Sequence, residues 1–299
     1  MRVDPNYVSR LAVAVNQSGL AESDLTTQLS SGLRVTSLQV DPGAAASSAL
    51  IGSAIAKDVS YVQAASGKQS VLQVTDSTLG AVVTQLTTAV TLAVQGSNGT
   101  MNAANLQSIA QQLTGIRDQV LALANTSYMG VRLFGGSQGT TTPFLVDTSV
   151  SPATAFYGGD TAVQYTETPT GQKIQTSLPG SAIFGNGSAG VFIVLNQLIA
   201  KFAGAASGSL VAPEAAALTD ALNQVSLQRS VLNSSLARIK DTSSYFASDQ
   251  SQLTAQQTSL VAVDLTTVAT QLKSAETQHQ ALLSVMSALG SSNLFNYMK

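Results

Sequence analysis

Apolar residues recur at alternating spacings of three and four over much of the chain, the spacing of residues on one face of a long helix. The first run consists of Ile51, Ile55, Val62, Ala65, Leu72, Leu79, Val83, Leu86 and Val90. The second run consists of Leu106, Ile109, Leu113, Ile116, Val120 and Leu123. The glycine-containing stretch 96–99 between the runs is typical of a turn, so we expect two antiparallel helices joined there.

The last third of the chain carries one apolar column beside a mostly polar one. The apolar column consists of Leu218, Val225, Leu232, Ile239, Phe246, Leu253 and Leu260. A single apolar column predicts a helix that packs on a neighbouring pair of helices, since a two-stranded coiled coil needs two. Beyond Leu260 the register changes and a second seam begins. Because this seam has few obvious partners in its own chain, we predict an assembly interface at Leu265, Val268, Leu272, Leu282, Met286 and Leu289.

Residues 135–212 differ from both flanks in their content of Gly, Thr, Pro and aromatic residues. The alternating stretches 162–165 and 173–176 are typical of strands in hairpins, and Pro213-Glu214 predicts a helix start. The predicted fold is mainly α, with long antiparallel bundle or coiled-coil arms from both termini and a small β domain in the middle. The predicted divisions are an N-terminal arm, a β-rich insert that loops out of the bundle, and a C-terminal arm, at residues 1–134, 135–212 and 213–299.

One loop near the N-terminus carries the signals of a helix end followed by a helix start. Gly32 suits the left-handed residue that ends a helix. Asp41 suits an N-cap, where its carboxylate accepts hydrogen bonds from free amides, and Pro42 suits the first helical position, which needs no donor.

The composition excludes several classes of function. Charged residues make up 10% of the chain, against roughly a quarter in an average domain. The net charge is −2 and the basic residues are scattered, so we predict neither nucleic-acid nor membrane binding. The chain has no cysteine, so its rigidity cannot come from disulfides. The apolar run 11–15 is too short for the core of a secretory signal, so we expect no cleaved signal peptide.

Two motifs resemble catalytic signatures without the surroundings that catalysis needs. Residues 185–190 match G-x-G-x-x-G, but no strand–helix–strand unit surrounds them. Residues 135–139 match G-x-S-x-G, but Thr140–Pro143 is a poor helix start. The single histidine, His279, falls on the last seam, where a packed or interface imidazole is expected. We therefore predict no enzyme, no catalytic residues, no cofactor and no metal site.

Four blocks, in order along the chain, resemble the flagellin superfamily and in particular its hook-associated branch. They are Ser31–Arg34 with Asp41–Ala45, Gly115–Val120 with Leu133–Gly136, Val263–Leu265 with Val268–Leu272, and Ser292–Met298. The resemblance marks Gly32, Arg34, Asp41 and Pro42 as a family-motif loop. Flagellin itself usually opens with Ile-Asn-Thr-Asn and ends in Leu-Leu-Arg, and this chain does neither.

The resemblance implies a structural subunit of the bacterial flagellum that forms the junction between hook and filament through its terminal helical arms. Implied partners are copies of itself as a ring or helical oligomer, a neighbouring hook-associated protein, flagellin, an export chaperone and the export apparatus. The implied location is the extracellular flagellum, reached by the flagellar type III route. Two alternatives remain open from the sequence: a short flagellin, or a secreted coiled-coil adhesin or effector.

Overall fold

A computed structural model describes residues 5–37, 39–147, 149, 153–185 and 190–292. Its α-helices are α1 (Pro5–Ser31), α2 (Pro42–Gly96), α3 (Ala103–Ala124), α4 (Gly180–Phe184), α5 (Val191–Ala203), α6 (Ala212–Val261) and α7 (Leu265–Ser292). Its strands are β1 (Ser127–Tyr128), β2 (Val131–Arg132), β3 (Phe144–Asp147), β4 (Thr154–Tyr157), β5 (Tyr165–Glu167) and β6 (Lys173–Gln175). The predicted fold class, long helices toward both termini around a small β region, is confirmed.

The chain forms two compact units. Unit 1 comprises residues 1–57 and 248–299, and unit 2 comprises residues 58–247. The long helices α2 and α6 contribute residues to both units. The division of the chain at residues 134 and 212 stays a prediction.

The core of unit 2 is built from the apolar columns that the sequence predicts. The first five members of the α6 column are buried: Leu218, Val225, Leu232, Ile239 and Phe246. They share one hydrophobic cluster with the α3 column and with Leu72, Leu79 and Leu86 of α2. The predicted turn after α2 is also confirmed, since α2 ends at Gly96 and Asn102 caps α3 through a bond from Asn105 N to its side chain.

Polar contacts show that α2 and α6 run antiparallel in unit 2. The hydroxyls of Tyr61 and Thr242 lie 2.5 Å apart. Further along both helices, Arg229 donates from Nε to Asp76 Oδ1 at 2.8 Å and from Nη2 to Oδ2 at 3.2 Å. Asp76, which interrupts the first apolar seam in the sequence, is therefore the partner of an arginine in the polar column of α6.

The central region packs into the bundle core, so the expectation that it loops out is wrong. Ile174, Leu178 and Phe184 belong to the same buried cluster as the residues of α2, α3 and α6. The strands form three antiparallel hairpins, β1–β2, β3–β4 and β5–β6. The prediction of strand 173–176 matches β6, whereas its partner β5 begins only at Tyr165.

The largest element of the central region is a helix that the sequence analysis missed. Helix α5 packs on α3, and among its buried residues are Phe192, Leu195 and Phe202. Because α5 opens with the uninterrupted apolar run 191–195, its helical spacing is hard to see in the sequence. In the structure one side of α5 is buried in the core, and Gln197 and Ala200 are exposed.

By length and composition alone, α2 could cross a membrane, with one 18-residue window of mean hydropathy 1.4 that is 33% buried. Leu72, Leu79 and Leu86 of this helix are at most 2% exposed in the core of unit 2. Its apolar face is therefore used within the fold, as in other core helices.

Candidate assembly interface

Helices α1 and α7 pack antiparallel in unit 1, and we call them the terminal helix pair. An isolated antiparallel bridge joins Leu33 to Ala262, just outside both helices. Further along, the Ser18 hydroxyl lies 3.1 Å from His279 Nδ1. The pairing of residues 33 with 262 and 18 with 279 shows that the two helices run in opposite directions.

The seam of the terminal helix pair is only partly apolar. Leu11 and Val268 are buried in it, at 8% and 5% exposure. Between them, α1 presents Ser18 and Glu22 as half-buried residues. The prediction of a packed imidazole is confirmed, because His279 is half-buried and a Cβ at Gly19 would lie 3.5 Å from its Cε1. Because so many of its residues are polar, burial of this seam contributes less free energy than burial of the core of unit 2 does.

The residues predicted as an assembly interface occupy different environments. Val268 is buried, Leu272 and Leu282 are half-buried, and Leu265 and Met286 are 54% and 40% exposed. The backbone of Leu289 lies in α7, and its side chain lies outside the described part of the structure. The premise that this seam has few partners in its own chain is wrong, because α1 packs on it. Its role in assembly stays a prediction.

Large apolar side chains are exposed on the terminal helix pair, and of these only Leu265 and Met286 are among the interface residues predicted from the sequence. On α1 they are Tyr7, Val8, Val13, Leu20 and Leu29, and on α7 they are Leu265, Leu283, Val285 and Met286. We call these residues the outer apolar face. A signal for part of this set was present in the sequence, since Val13 and Leu20 on α1 and Leu283 and Val285 on α7 fall off the seam positions.

The family-motif loop lies at the end of α1 and brings its predicted residues together. Gly32 follows the last residue of α1 with φ +70°, and its amide donates to Gln28 O at 2.9 Å. The prediction of a left-handed helix end is therefore confirmed, and glycine adopts this conformation without the strain that a Cβ would bring.

Asp41 caps α2, which begins at Pro42, so both predictions are confirmed. Ala44 N donates to Asp41 Oδ1 at 3.0 Å. Arg34 donates to Asp41 Oδ2 from Nη1 at 3.2 Å and from Nη2 at 3.3 Å. The Ala44 amide, and after it the Arg34 guanidinium, hold the pKa of Asp41 below its ordinary value.

The motif loop is bonded to a break between α6 and α7. Arg34 N donates to Val261 O at 2.7 Å, and Val263 N donates to Gly32 O at 3.1 Å. Arg34 Nη2 also donates to Leu260 O at 3.0 Å, one of the free carbonyls at the end of α6. Arg34 thus joins the C-terminus of α6 to the capped N-terminus of α2. We call this arrangement, residues 32–41 with 260–264, the joint.

Asp264 begins α7 on the other side of the break. Its Oδ1 accepts the amides of Thr266 and Thr267 at 3.0 and 3.3 Å, and its Oδ2 accepts the Thr267 hydroxyl at 2.9 Å. The Thr267 hydroxyl is the main cause of the lowered pKa of Asp264. The sequence predicts a change of register here, and the structure has a break with its own N-cap.

Of the two motifs that resemble catalytic signatures, the one at residues 135–139 is held by hydrogen bonds to Asp160. Ser137 donates its hydroxyl to Asp160 Oδ2 and its amide to Oδ1, which ties the glycine turn to the segment after β4. In the other motif, helix α4 precedes Gly185 and α5 follows Gly190, with residues 186–189 outside the described part. No cluster of three or more metal-ligating His, Cys, Asp or Glu side chains occurs among the described residues.

Two family models match the chain. The bacterial flagellin N-terminal helical region matches residues 8–139, and the bacterial flagellin C-terminal helical region matches residues 215–298. The two matches include the joint and the described parts of the terminal helix pair from residue 8 onward. The chain therefore belongs to the flagellin superfamily, whose members are structural subunits of the extracellular bacterial flagellum and are not known as enzymes.

Two curated relatives with similar sequences are hook-associated proteins. Flagellar hook-associated protein 3 of Salmonella typhimurium is 29% identical over 75% of this chain and 78% of its own length. The Escherichia coli protein of the same name is 34% identical over 39% of this chain and 37% of its own length. Within the superfamily, the chain is therefore similar to hook-associated proteins.

Solved structures agree with the fold. A flagellar hook-associated protein of Vibrio parahaemolyticus superposes with a TM-score of 0.64 and 17% identity, covering 74% of this chain and 99% of its own. The FlgL protein of Bacillus cereus superposes with a TM-score of 0.58 and 22% identity, covering 70% of this chain and 99% of its own.

Proposed function

We propose that the chain joins hook to filament through the outer apolar face of its terminal helix pair, which packs against neighbouring subunits. The observation that carries the proposal is the contrast within this pair. Nine large apolar side chains on α1 and α7 are at least 37% exposed, while Leu11 and Val268 are the buried apolar residues among the described part of the pair. An apolar face of this kind gains about 25 cal/mol for each Å² that a partner covers.

The low charge of the chain supports close packing of subunits. With charged residues at 10% and a net charge of −2, copies of the chain repel one another weakly. The polar seam supports the same proposal. Because burial within the helix pair contributes little free energy, packing against a neighbouring subunit can add a larger part of its stabilisation. The ordering of the terminal helices is then stabilised by burial between subunits.

The proposed partners are copies of this chain in a ring or helical oligomer, a neighbouring hook-associated protein on the hook side, and flagellin on the filament side. We also propose export as an unfolded chain by the flagellar type III route, with an export chaperone. The absence of cysteine fits this route, since no disulfide has to form after export.

A short flagellin is the remaining alternative, because both family models are also those of flagellin. The two functions differ in abundance and place. A junction subunit is present in few copies and stays with isolated hook–basal bodies after filaments are removed. A flagellin dominates the mass of sheared filaments. Immunodetection in the two fractions decides between them.

Limited proteolysis tests the proposed surface. We expect cleavage within residues 1–40 and 265–299 in the isolated chain, and protection of both regions after assembly, since assembly covers the outer apolar face. The matched reference is the core of unit 2, which should resist cleavage in both states. Equal cleavage of the terminal regions before and after assembly would contradict the proposal.

A further inference from the structure

The turn between α2 and α3 presents an exposed asparagine followed by a glycine. Asn98 and Gly99 are both exposed, and a Cβ built on Gly99 would have no atom within 4 Å. The side-chain carbonyl of Asn98 accepts two hydrogen bonds from one residue: the Thr100 hydroxyl donates at 3.0 Å and the Thr100 amide at 3.3 Å. This turn has no part in the assembly surface proposed above.

We infer that Asn98 is a site of spontaneous deamidation through a cyclic imide. The Gly99 backbone nitrogen attacks Cγ of Asn98 and forms the new C–N bond. The bond from Cγ to Nδ2 breaks, and ammonia leaves with the proton that Gly99 N has lost. Water then opens the ring at either carbonyl, which gives aspartate or, with the main chain running through Cβ and Cγ, isoaspartate. No oxidant or reductant takes part.

The surroundings of Asn98 favour each requirement of this reaction. The two donors of Thr100 draw electron density from the side-chain carbonyl, which makes Cγ a better electrophile. Gly99 has no side chain to block the approach of its nitrogen. The open space around Gly99 leaves room for the five-membered ring and for water.

Two other described asparagines of unit 2, Asn125 and Asn102, lack this combination. Asn125 bonds Phe144 through both side-chain atoms, with Nδ2 donating to Phe144 O and Oδ1 accepting from Phe144 N, each at 2.9 Å. Asn102 accepts the Asn105 amide as a helix cap. Both are followed by residues with a Cβ, Thr126 and Ala103. These asparagines serve as internal controls in the same molecule.

The reaction would change the turn in a defined way. The product adds a negative charge close to the C-terminus of α2, where the helix dipole disfavours it. Isoaspartate also adds one carbon to the main chain between residues 98 and 99. The bond from Met101 N to Asn98 O, at 3.2 Å, and the neighbouring bond from Gly208 N to Ser97 O, at 3.1 Å, lie next to that change.

The test incubates the purified full-length chain at mildly alkaline pH, in conditions under which a synthetic peptide of residues 94–101 deamidates. Peptide mapping by mass spectrometry follows the exchange of NH2 for OH at Asn98, and an isoaspartyl methyltransferase with labelled methyl donor detects isoaspartate. We expect the folded chain to react at least as fast as the peptide, with Asn102 and Asn125 unchanged. A folded chain that stays intact while the peptide reacts overturns the inference.

Three variants test the requirements of the deamidation reaction one at a time. Asn98→Gln should lose the modified product, since its longer side chain disfavours the five-membered ring. Gly99→Ala should slow the reaction strongly, and Thr100→Val, which removes one of the two donors, should slow it moderately. Thermal melting of each variant confirms that the turn still folds. Thr100→Val reacting as fast as the native chain would overturn the proposed activation of the side-chain carbonyl.

Discussion

The two units of this protein use the same apolar spacing with opposite results. In unit 2 the columns of α2, α3 and α6 meet in one cluster, where Leu79, Leu113 and Ile239 have no measurable exposure. In unit 1 the described residues include two buried apolar side chains, Leu11 and Val268, at 8% and 5% exposure. Full burial of a large apolar side chain stabilises a fold by about 1.5–3 kcal/mol, so the two units differ greatly in their own stability.

The difference follows from what occupies the seam positions. Every position of the α6 column from Leu218 to Phe246 is apolar, so about every second turn of that helix adds a buried side chain to the core. On α1 the corresponding positions include Ser18 and Glu22, and His279 faces Ser18 from α7. We infer that unit 2 is a self-sufficient scaffold and that unit 1 keeps its apolar surface for neighbouring subunits.

The largest effect is expected from Ile239→Asp. Ile239 is fully buried, and an unpaired carboxylate in its place costs roughly 4–5 kcal/mol, enough to unfold many domains. Circular dichroism should show loss of helix or a strongly lowered melting temperature. The matched control is Leu227→Asp on the same helix, where the side chain is 58% exposed and little change is expected. A folded Ile239→Asp variant would show that unit 2 is not built on this column.

Leu272→Asp should separate assembly from folding. Leu272 is half-buried on α7, so the monomer should keep the melting transition of unit 2 while the charged side chain prevents subunit packing. Cells that carry this variant should export flagellin into the medium without growing filaments.

The control for this variant is Gln271→Asp, which places the same charge on the exposed neighbouring position. Its cells should swim normally. Normal swimming of the Leu272→Asp cells would remove the C-terminal seam from the assembly surface.

The parts of the fold that the sequence predicts are those set by a repeat. Columns of apolar residues seven apart place one face of α2, α3 and α6 in a core whatever their partners are. In helix α5 the uninterrupted apolar run 191–195 hides such a period. Its burial depends on the surrounding elements, and a local pattern does not contain that information.

At the joint, too, the sequence predicts local features but not contacts between residues far apart in the chain. Gly32 and Asp41 follow local rules for helix ends, and both predictions hold. The bond from Arg34 to Leu260 O joins residues 226 apart in the chain, so only the tertiary structure could reveal it. The break before α7 could have been predicted, because Asp264 followed by Leu265, Thr266 and Thr267 is a plausible N-cap.

Gly136→Ala tests a contact of unit 2 that lies outside its apolar columns. Gly136 has φ +71°, and a Cβ there would lie 2.0 Å from Asp160 Oδ1 and 2.5 Å from its backbone oxygen. The strain and the displaced Asp160 should lower stability by about 1–3 kcal/mol, read from chemical denaturation. Gly67→Ala is the control, because Gly67 is helical with open space around it and should gain up to about 1 kcal/mol. Equal effects at both glycines would contradict the close contact with Asp160.

The smallest effect is expected at the joint of unit 1, as a dependence on pH. The Ala44 amide and Arg34 lower the pKa of Asp41 from its ordinary value of 3.8, so the folded joint favours the carboxylate. The contribution of the Asp41 carboxylate to the stability of the joint is therefore present above pH 3.8. It is lost as the pH falls through the lowered pKa of the folded state. Digestion with pepsin over this acid range should show cleavage at residues 32–41 increasing as the pH falls.

In Asp41→Asn the side chain still caps α2 but cannot titrate or pair with Arg34 as an ion, so cleavage at the joint should start higher and change less with pH. The melting transition of unit 2 should be the same in both proteins, since Asp41 lies in unit 1. An identical pH profile for the two proteins would mean that the Asp41 carboxylate does not hold the joint.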